Sequence, residues 1–195
     1  MCKLKTVLLI MGVTICMFNF LGCSGNVKYE KYFGKDPSLG ITIDYVSGWA
    51  AAEQTGAYGS FAQAVFYEPK IENKTLKAMM VVTVERADKV KLASPTLEKM
   101  ELDLVGRRMK FDDSKVASKT EFIILGEAGV DIKMSYRALD NNIESMKAKL
   151  VPVTERVIMF KKADKFYTVR YENISSDFDK YDRAFYHCAK SLKLK

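Results

Sequence analysis

Alternation with a period of two is the feature that most limits what this chain can become. Ile41-Thr42-Ile43-Asp44-Tyr45 sets apolar against polar residues, and Val130, Ile132, Met134 and Tyr136 repeat the pattern further on. Successive side chains of an extended backbone point to opposite sides, so such segments predict strands with one dry face and one wet face. Phe61 to Tyr67, closed by Pro69, predicts another strand. Ala78 to Glu85 (AMMVVTVE) is a continuous β-branched run, which predicts a central strand buried on both faces. Thr120 to Leu125, Val153 to Phe160 and Phe166 to Tyr171 complete the set, and Lys161 to Lys165 reads as a polar hairpin turn between the last two. Ser47-Gly48 reads as a turn before Trp49, the single tryptophan. Gln54 to Ser60 reads as a loop, Gly126 to Gly129 as a tight connection, and Asn141-Asn142 as a loop or hairpin.

Two segments keep a helical period instead. Ser94-Pro95 predicts a helix start, with Ser at the N-cap and Pro at the first helical position, where its missing N–H costs nothing. Leu97, Met100 and Leu104 follow at helical spacing, Glu98 and Glu101 stand in the early turns, and the helix should end near Lys110. The second helix is the C-terminal one. Ser176 and Asp179 predict a variant capping box, and Phe178, Tyr181, Phe185, Cys188 and Leu192 form one apolar stripe for packing on the sheet. Asp177, Asp179 and Asp182 at its start and Lys190 and Lys193 at its end complement the helix dipole. Strands, helix, antiparallel strands and helix in that order predict an α+β fold, a mostly antiparallel β-sheet flanked by helices.

The N-terminus speaks to location. Lys3 and Lys5 precede an apolar stretch from Thr6 to Leu21, and Gly22-Cys23 follows. That is the layout of a cleaved export signal, and its apolar part is shorter than the ~20 residues a spanning helix needs. The cysteine at the cut resembles a bacterial lipobox, which implies lipidation of Cys23 by diacylglyceryl and palmitate-type chains. The expected organisation is a lipoprotein signal peptide over 1–22, a lipidated tether over 23–39, with Ser24 to Leu39 lacking any period, and one domain over 40–195.

Composition narrows the partners. Hydrophobic residues make up 48% of the chain, enough for one sizeable core. The formal charge is +7, and Lys3 and Lys5 leave with the signal. The positives are dispersed: Lys110, Lys115 and Lys119 alternate with Asp112, Asp113 and Glu121, a solvated surface rather than a nucleic-acid site. Cys2 and Cys16 lie in the signal and Cys23 is committed to lipid, so Cys188 has no partner and no internal disulfide is expected. Cys188 reads as a small buried hydrophobe.

Catalytic chemistry has little to stand on. His187 is the sole histidine, and its neighbour Cys188 points about 100° away on a helix, a poor nucleophile–base couple. HExxH, CxxC, GxSxG and P-loop motifs are all missing from the sequence. Asp112-Asp113 reads as surface rather than a cation site, and Gly126 to Gly129 as a turn, since no helix follows to hold a phosphate. Tyr167, Tyr171, Tyr181 and Phe185 could line a cleft but read as packing.

Several segments together carry a family resemblance. Gly40 to Trp49 (GITIDYVSGW) is similar to the opening strand and turn of the PsbP-like proteins, with Val46 where that pattern has proline. Thr96–Met100, Ile124–Tyr136, Arg156–Glu172, Asp177–Tyr181 with Phe185, and Ser191–Lys193 continue the succession over residues 40–194. The superfamily includes the PsbP subunit of photosystem II, DcrB-type bacterial lipoproteins and a Ran-binding nuclear import factor. The resemblance implies an antiparallel sheet sandwiched by helices, a role in binding or stabilising other proteins, and no shared catalytic residues. PsbP is linked to metal retention, a role that a chain with one histidine is not expected to share. The expectation is therefore a non-enzymatic, monomeric lipoprotein held to the membrane through Cys23, exposed outside the cytoplasm in the cell envelope. It binds an envelope protein and uses no cofactor, metal or nucleic acid. The alternative is a small-ligand binder of lipid, peptide or cofactor.

Overall fold

Seven strands form the main sheet, in the spatial order β3 (Ala50–Thr55), β4 (Phe61–Tyr67), β5 (Met79–Arg86), β9 (Lys165–Ile174), β8 (Lys149–Lys162), β7 (Glu127–Asp140) and β6 (Asp112–Ile124), and every neighbouring pair is antiparallel. This computed structural model describes residues 27–69, 78–140 and 149–195. A small antiparallel sheet holds β1 (Tyr29–Phe33), β2 (Ile41–Val46) and β10 (Lys193–Leu194), with β2 in the middle. The helices are α1 (Leu97–Arg108) and α2 (Asp179–Ser191). Between β6 and β7 the turn is only Leu125-Gly126, both at positive φ (53° and 79°), the conformation that matches the twist of a two-residue hairpin. Ala163-Asp164 turns β8 into β9 inside the predicted polar hairpin.

The sheet has two unlike faces. Ala62, Ala64, Phe66, Met80, Val82, Val84, Ile158, Phe160, Val169 and Tyr171 point to one side, where α2 and the small sheet close over them. Phe185 and Cys188 of α2 are 2% and 1% exposed there, so the predicted stripe is core. On the other side α1 lays Met100 and Leu104 on Val130, Ile132, Met134, Val157, Met159 and Phe166. That cluster takes no residue from β3, β4 or β5. Helix, sheet and helix layers thus give the expected α+β architecture.

Several local expectations are corrected. The stretch expected as a tether, Ser24 to Leu39, contains β1, whose five residues pair with β2 from Tyr29↔Val46 to Phe33↔Thr42, and Leu39 is 1% exposed. Its strand is mostly wet, so the sequence carries no alternation to betray it. β3 takes in Gln54 and Thr55, placed in a loop by the glycines that follow. β6 begins at Asp112, well before Thr120, and is exposed along most of its length. β5 is buried on one face only: Val81 is 4% exposed, but Met79, Thr83 and Glu85 on the same side are half-buried.

The helix starts also differ. Thr96 is the N-cap of α1, its Oγ1 accepting from Lys99 N at 3.3 Å, while Ser94 sits at φ 52° and the helix closes at Arg108. A 3-10 turn, Ser175–Asp177, leads into α2, so Phe178 is the N-cap and no side chain caps it. Ser176 Oγ donates to Asp177 instead (3.1 Å). The signal over 1–22, the lipidation residue Cys23 and the turn residues Asn141-Asn142 lie outside the described residues. Among the described residues no helix is long and apolar enough to cross a membrane.

Candidate functional site

Beside α1 the sheet is open among the described residues. The row from β3 to β9 presents Ala52, Gln54, Gln63, Val65, Met79, Val81 and Arg170 along a shallow groove. The strand period explains the lining from β4 and β5: Gln63, Val65, Met79 and Val81 are the alternate residues whose sequence neighbours (Ala64, Phe66, Met80, Val82) fill the opposite core, while Glu53 of edge strand β3 also borders the groove. The floor is aliphatic and the rim is amide and guanidinium. Gln63 Nε2 donates to Thr83 Oγ1 at 3.2 Å, which orients the rim.

A buried charge network forms the wall towards α1. Arg108 ends α1 and donates through Nε to Glu155 Oε2 (2.6 Å) and through Nη2 to Oε1 (2.9 Å). Glu155 is 0% exposed, and Arg170 Nη1 lies 3.5 Å from its Oε1. Glu172 stands directly opposite Glu155 across the β8–β9 ladder, with its Oε2 3.8 Å from Arg170. The Arg108 guanidinium also lies over the rings of Tyr136 (5.5 Å) and Phe111 (5.9 Å), which stack on each other at 5.1 Å. The bidentate bond to Glu155 raises the Arg108 pKa further, and burial raises the Glu172 carboxyl above its usual range. Burial, then the charges of Glu155 and Glu172, push Tyr136 upward. Both oxygens of Glu155 are taken by guanidinium groups, so the network clamps α1 to the sheet.

A second clamp holds α2. Arg156 reaches Asp182 on the helix (2.6 Å) and Asp131 on β7 (3.2 Å), and Tyr186 donates to Asp131. Its guanidinium lies 4.6 Å from the Tyr186 ring centroid. Every member is engaged within the fold.

The sequence candidates are dispersed. His187 does not enter the core: it stacks on Tyr29 at 3.9 Å and meets Asp44 Oδ2 at 3.2 Å on the outer side of α2. Cys188 faces inward, and burial pushes its thiol up to about 12, which leaves it protonated and unreactive. Asp112 and Asp113 open β6, where Arg137 lies 3.7 Å from Asp113. Gly126 is in the hairpin turn and Gly129 in β7. Among the described residues no three His, Cys, Asp or Glu side chains converge as metal ligands. Tyr171, Tyr181 and Phe185 meet with Trp49, Met80 and Cys188 around a hollow of about 10 Å3, room for one water at most. Tyr171 OH donates to Phe178 C=O at 2.8 Å and is fully used in packing. Sequence reasoning missed Arg108, Glu155 and Arg170. Their only signal was a glutamate on the inward period of the apolar run Val153 to Phe160.

No family model and no curated protein matches the chain in sequence. Solved structures do share its fold. The Ran-binding protein Mog1p of Saccharomyces cerevisiae superposes with a TM-score of 0.56 at 8% identity, over 86% of this chain and 96% of that one. The PA94 protein of Pseudomonas aeruginosa gives 0.53 at 11% identity, over 86% and 97%. Cyanobacterial PsbP (CyanoP) of Synechocystis gives 0.51 at 14% identity, over 89% and 96%. Identities this low speak to architecture alone, and the architecture of this chain is the PsbP-like α+β fold.

Proposed function

We propose that this chain is a DcrB-type lipoprotein of the cell envelope, anchored through Cys23 and acting as a monomeric, non-catalytic module that binds another protein. The observation that carries the reading is the groove on the α1 face, open among the described residues: an aliphatic floor with a polar rim, next to the Arg108–Glu155 pair closed within the fold. Ion pairs closed on themselves support recognition surfaces better than catalysis, which needs a group left free to take or give a proton. Mog1p, of the same fold, is a Ran-binding protein, an analogy that supports protein recognition without naming a partner here. The hollow under α2, about 10 Å3, has no room for the small-ligand alternative.

Two experiments test the proposal. Cys23→Ser should abolish acylation and release the chain from the membrane fraction; unchanged partition of a cleaved Cys23→Ser chain would sink the anchor. A photo-crosslinking residue at Gln63, in the groove, should capture a discrete envelope protein, whereas the same residue at Glu121 on β6 should not. Equal capture at both positions, or none at Gln63, would overturn the binding role.

A further inference from the structure

The two edges of the main sheet are guarded differently. β6 has two register shifts, between Asp112 and Lys115 and between Val116 and Ser118, and it exposes Lys115 and Lys119. Bulges and lysines are common protection against pairing with another chain. β3 has neither. Its register with β4 runs unbroken from Ala50↔Tyr67 to Thr55↔Ala62, and its sequence AAAEQT holds no lysine or proline. The bond from Gly56 N–H to Phe61 C=O (2.8 Å) sets the phase of this ladder. Hydrogen-bonded pairs alternate in an antiparallel ladder, so Gln54, Ala52 and Ala50 bond to β4, and the N–H and C=O of Ala51, Glu53 and Thr55 point outward. Among the described residues no strand covers that edge.

Side chains beside the edge describe what could lie there. Ala51 and Ala52 are exposed and too small to shield the backbone. Ala50 and Ala52 stand beside Tyr67 and Val65, at the rim of the groove. On the opposite face the Glu53 carboxylate accepts from Lys35 N–H (2.7 Å), Asp36 N–H (3.1 Å) and the Tyr32 hydroxyl. Asp36 accepts from Ser38 and Thr55 and repels Glu53. Among the described residues neither carboxylate has an ion-pair partner, in a chain of net charge +7.

We infer that β3 takes an added strand from another protein: an extended segment with a lysine or arginine facing Glu53 and Asp36, and apolar side chains lying over Ala50 and Ala52 into the groove. Backbone hydrogen bonds would supply the affinity and the alternate side chains the specificity. The inference rests on the protein-binding function proposed above and gives that partner a chemistry. A second copy of this chain is the poorer occupant, since β3 paired with itself gathers the acidic rims of both copies.

Short random peptides displayed on phage and selected against the full chain test this directly. Enriched peptides should alternate apolar residues around a basic one, and their binding should slow hydrogen exchange at Ala51, Glu53 and Thr55. Ala51→Pro, which removes one outward N–H and leaves the β4 ladder intact, should weaken them about tenfold, as should loss of about one net hydrogen bond. If Ala51→Pro loses its cooperative urea transition, Ala51→Lys serves in its place by guarding the edge as β6 is guarded. No enrichment, bound peptides that leave those amides exchanging freely, or affinity unchanged by the substitution that folds would each overturn the inference. Capture at Gln63 alongside such a result would show the edge assignment to be wrong and protein binding to stand.

Discussion

The two faces of one sheet do different work. On the α2 face, Phe66, Phe160, Tyr171 and Phe185 are each at most 2% exposed and meet helix and small sheet in continuous apolar packing. On the α1 face the apolar cluster is smaller, a charge network flanks it, and among the described residues the β3–β5 half carries a shallow groove. Ala64 and Val65 are adjacent in sequence, yet one is fully buried and the other half-buried. The contrast separates the part of the molecule that holds the fold from the part on which the proposed binding role depends.

The largest effect expected is on the α2 face. Phe185→Ala should cost ~3–5 kcal/mol in urea unfolding, the usual range for a buried phenylalanine. A loss below ~1 kcal/mol would break the comparison, because α2 would then not be core. Next comes the wall of the groove. Glu155→Ala leaves Arg108 and Arg170 without their shared carboxylate and should cost about 3 kcal/mol, since one charge of a buried pair is left uncompensated. A cost above that of Phe185→Ala would mean that the α1 face holds the fold as firmly as the other.

Glu172 gives a smaller effect with a definite sign. Burial raises its carboxyl, Glu155 adds to the rise, and Arg170 and Arg108 oppose it. The folded chain therefore binds this proton more tightly than the unfolded chain does. The stability it contributes is full below the unfolded glutamate value, about 4.3, and is lost as pH rises through the higher folded value. Glu172→Gln, neutral throughout, should gain stability relative to the parent at about pH 7 and lose that gain near pH 4. Urea midpoints at the two pH values check this; a gain at the acid end instead would reverse the assignment. The smallest effect belongs to the open half. Gln54→Lys, at an exposed position of the groove, should change stability by less than ~0.5 kcal/mol, as surface substitutions do, and a larger loss would mean that the groove is packed rather than free.

Segments with a dry face were legible from their residues. β2, β4, β7, β8, β9, α1 and α2 all follow runs whose period could be read directly. Strands wet on both faces were not. β1 (YEKYF), β3 (AAAEQT) and the first half of β6 carry no alternation, because solvent imposes none. The candidate surface escaped for the same reason. Its edge is β3, and its wall joins Arg108 to Glu155 across 47 positions. Glu155 was the one readable hint, a charge on the inward period of an apolar run, and its partners cannot be inferred from spacing.

Periodicity, turn residues and the C-terminal stripe were enough to determine an α+β chain with two helices and a mainly antiparallel sheet, because hydrogen bonding within a helix and alternation along a strand are local properties. Tertiary structure alone decided the order β3-β4-β5-β9-β8-β7-β6, and with it which strands became edges. It also decided that the apolar cluster under α1 is built on β7, β8 and Phe166 of β9 and, among the described residues, takes none from β3 to β5. Those outcomes depend on contacts between residues far apart in the chain, where the free energy of burying one face against another selects a partner that no short stretch of sequence names.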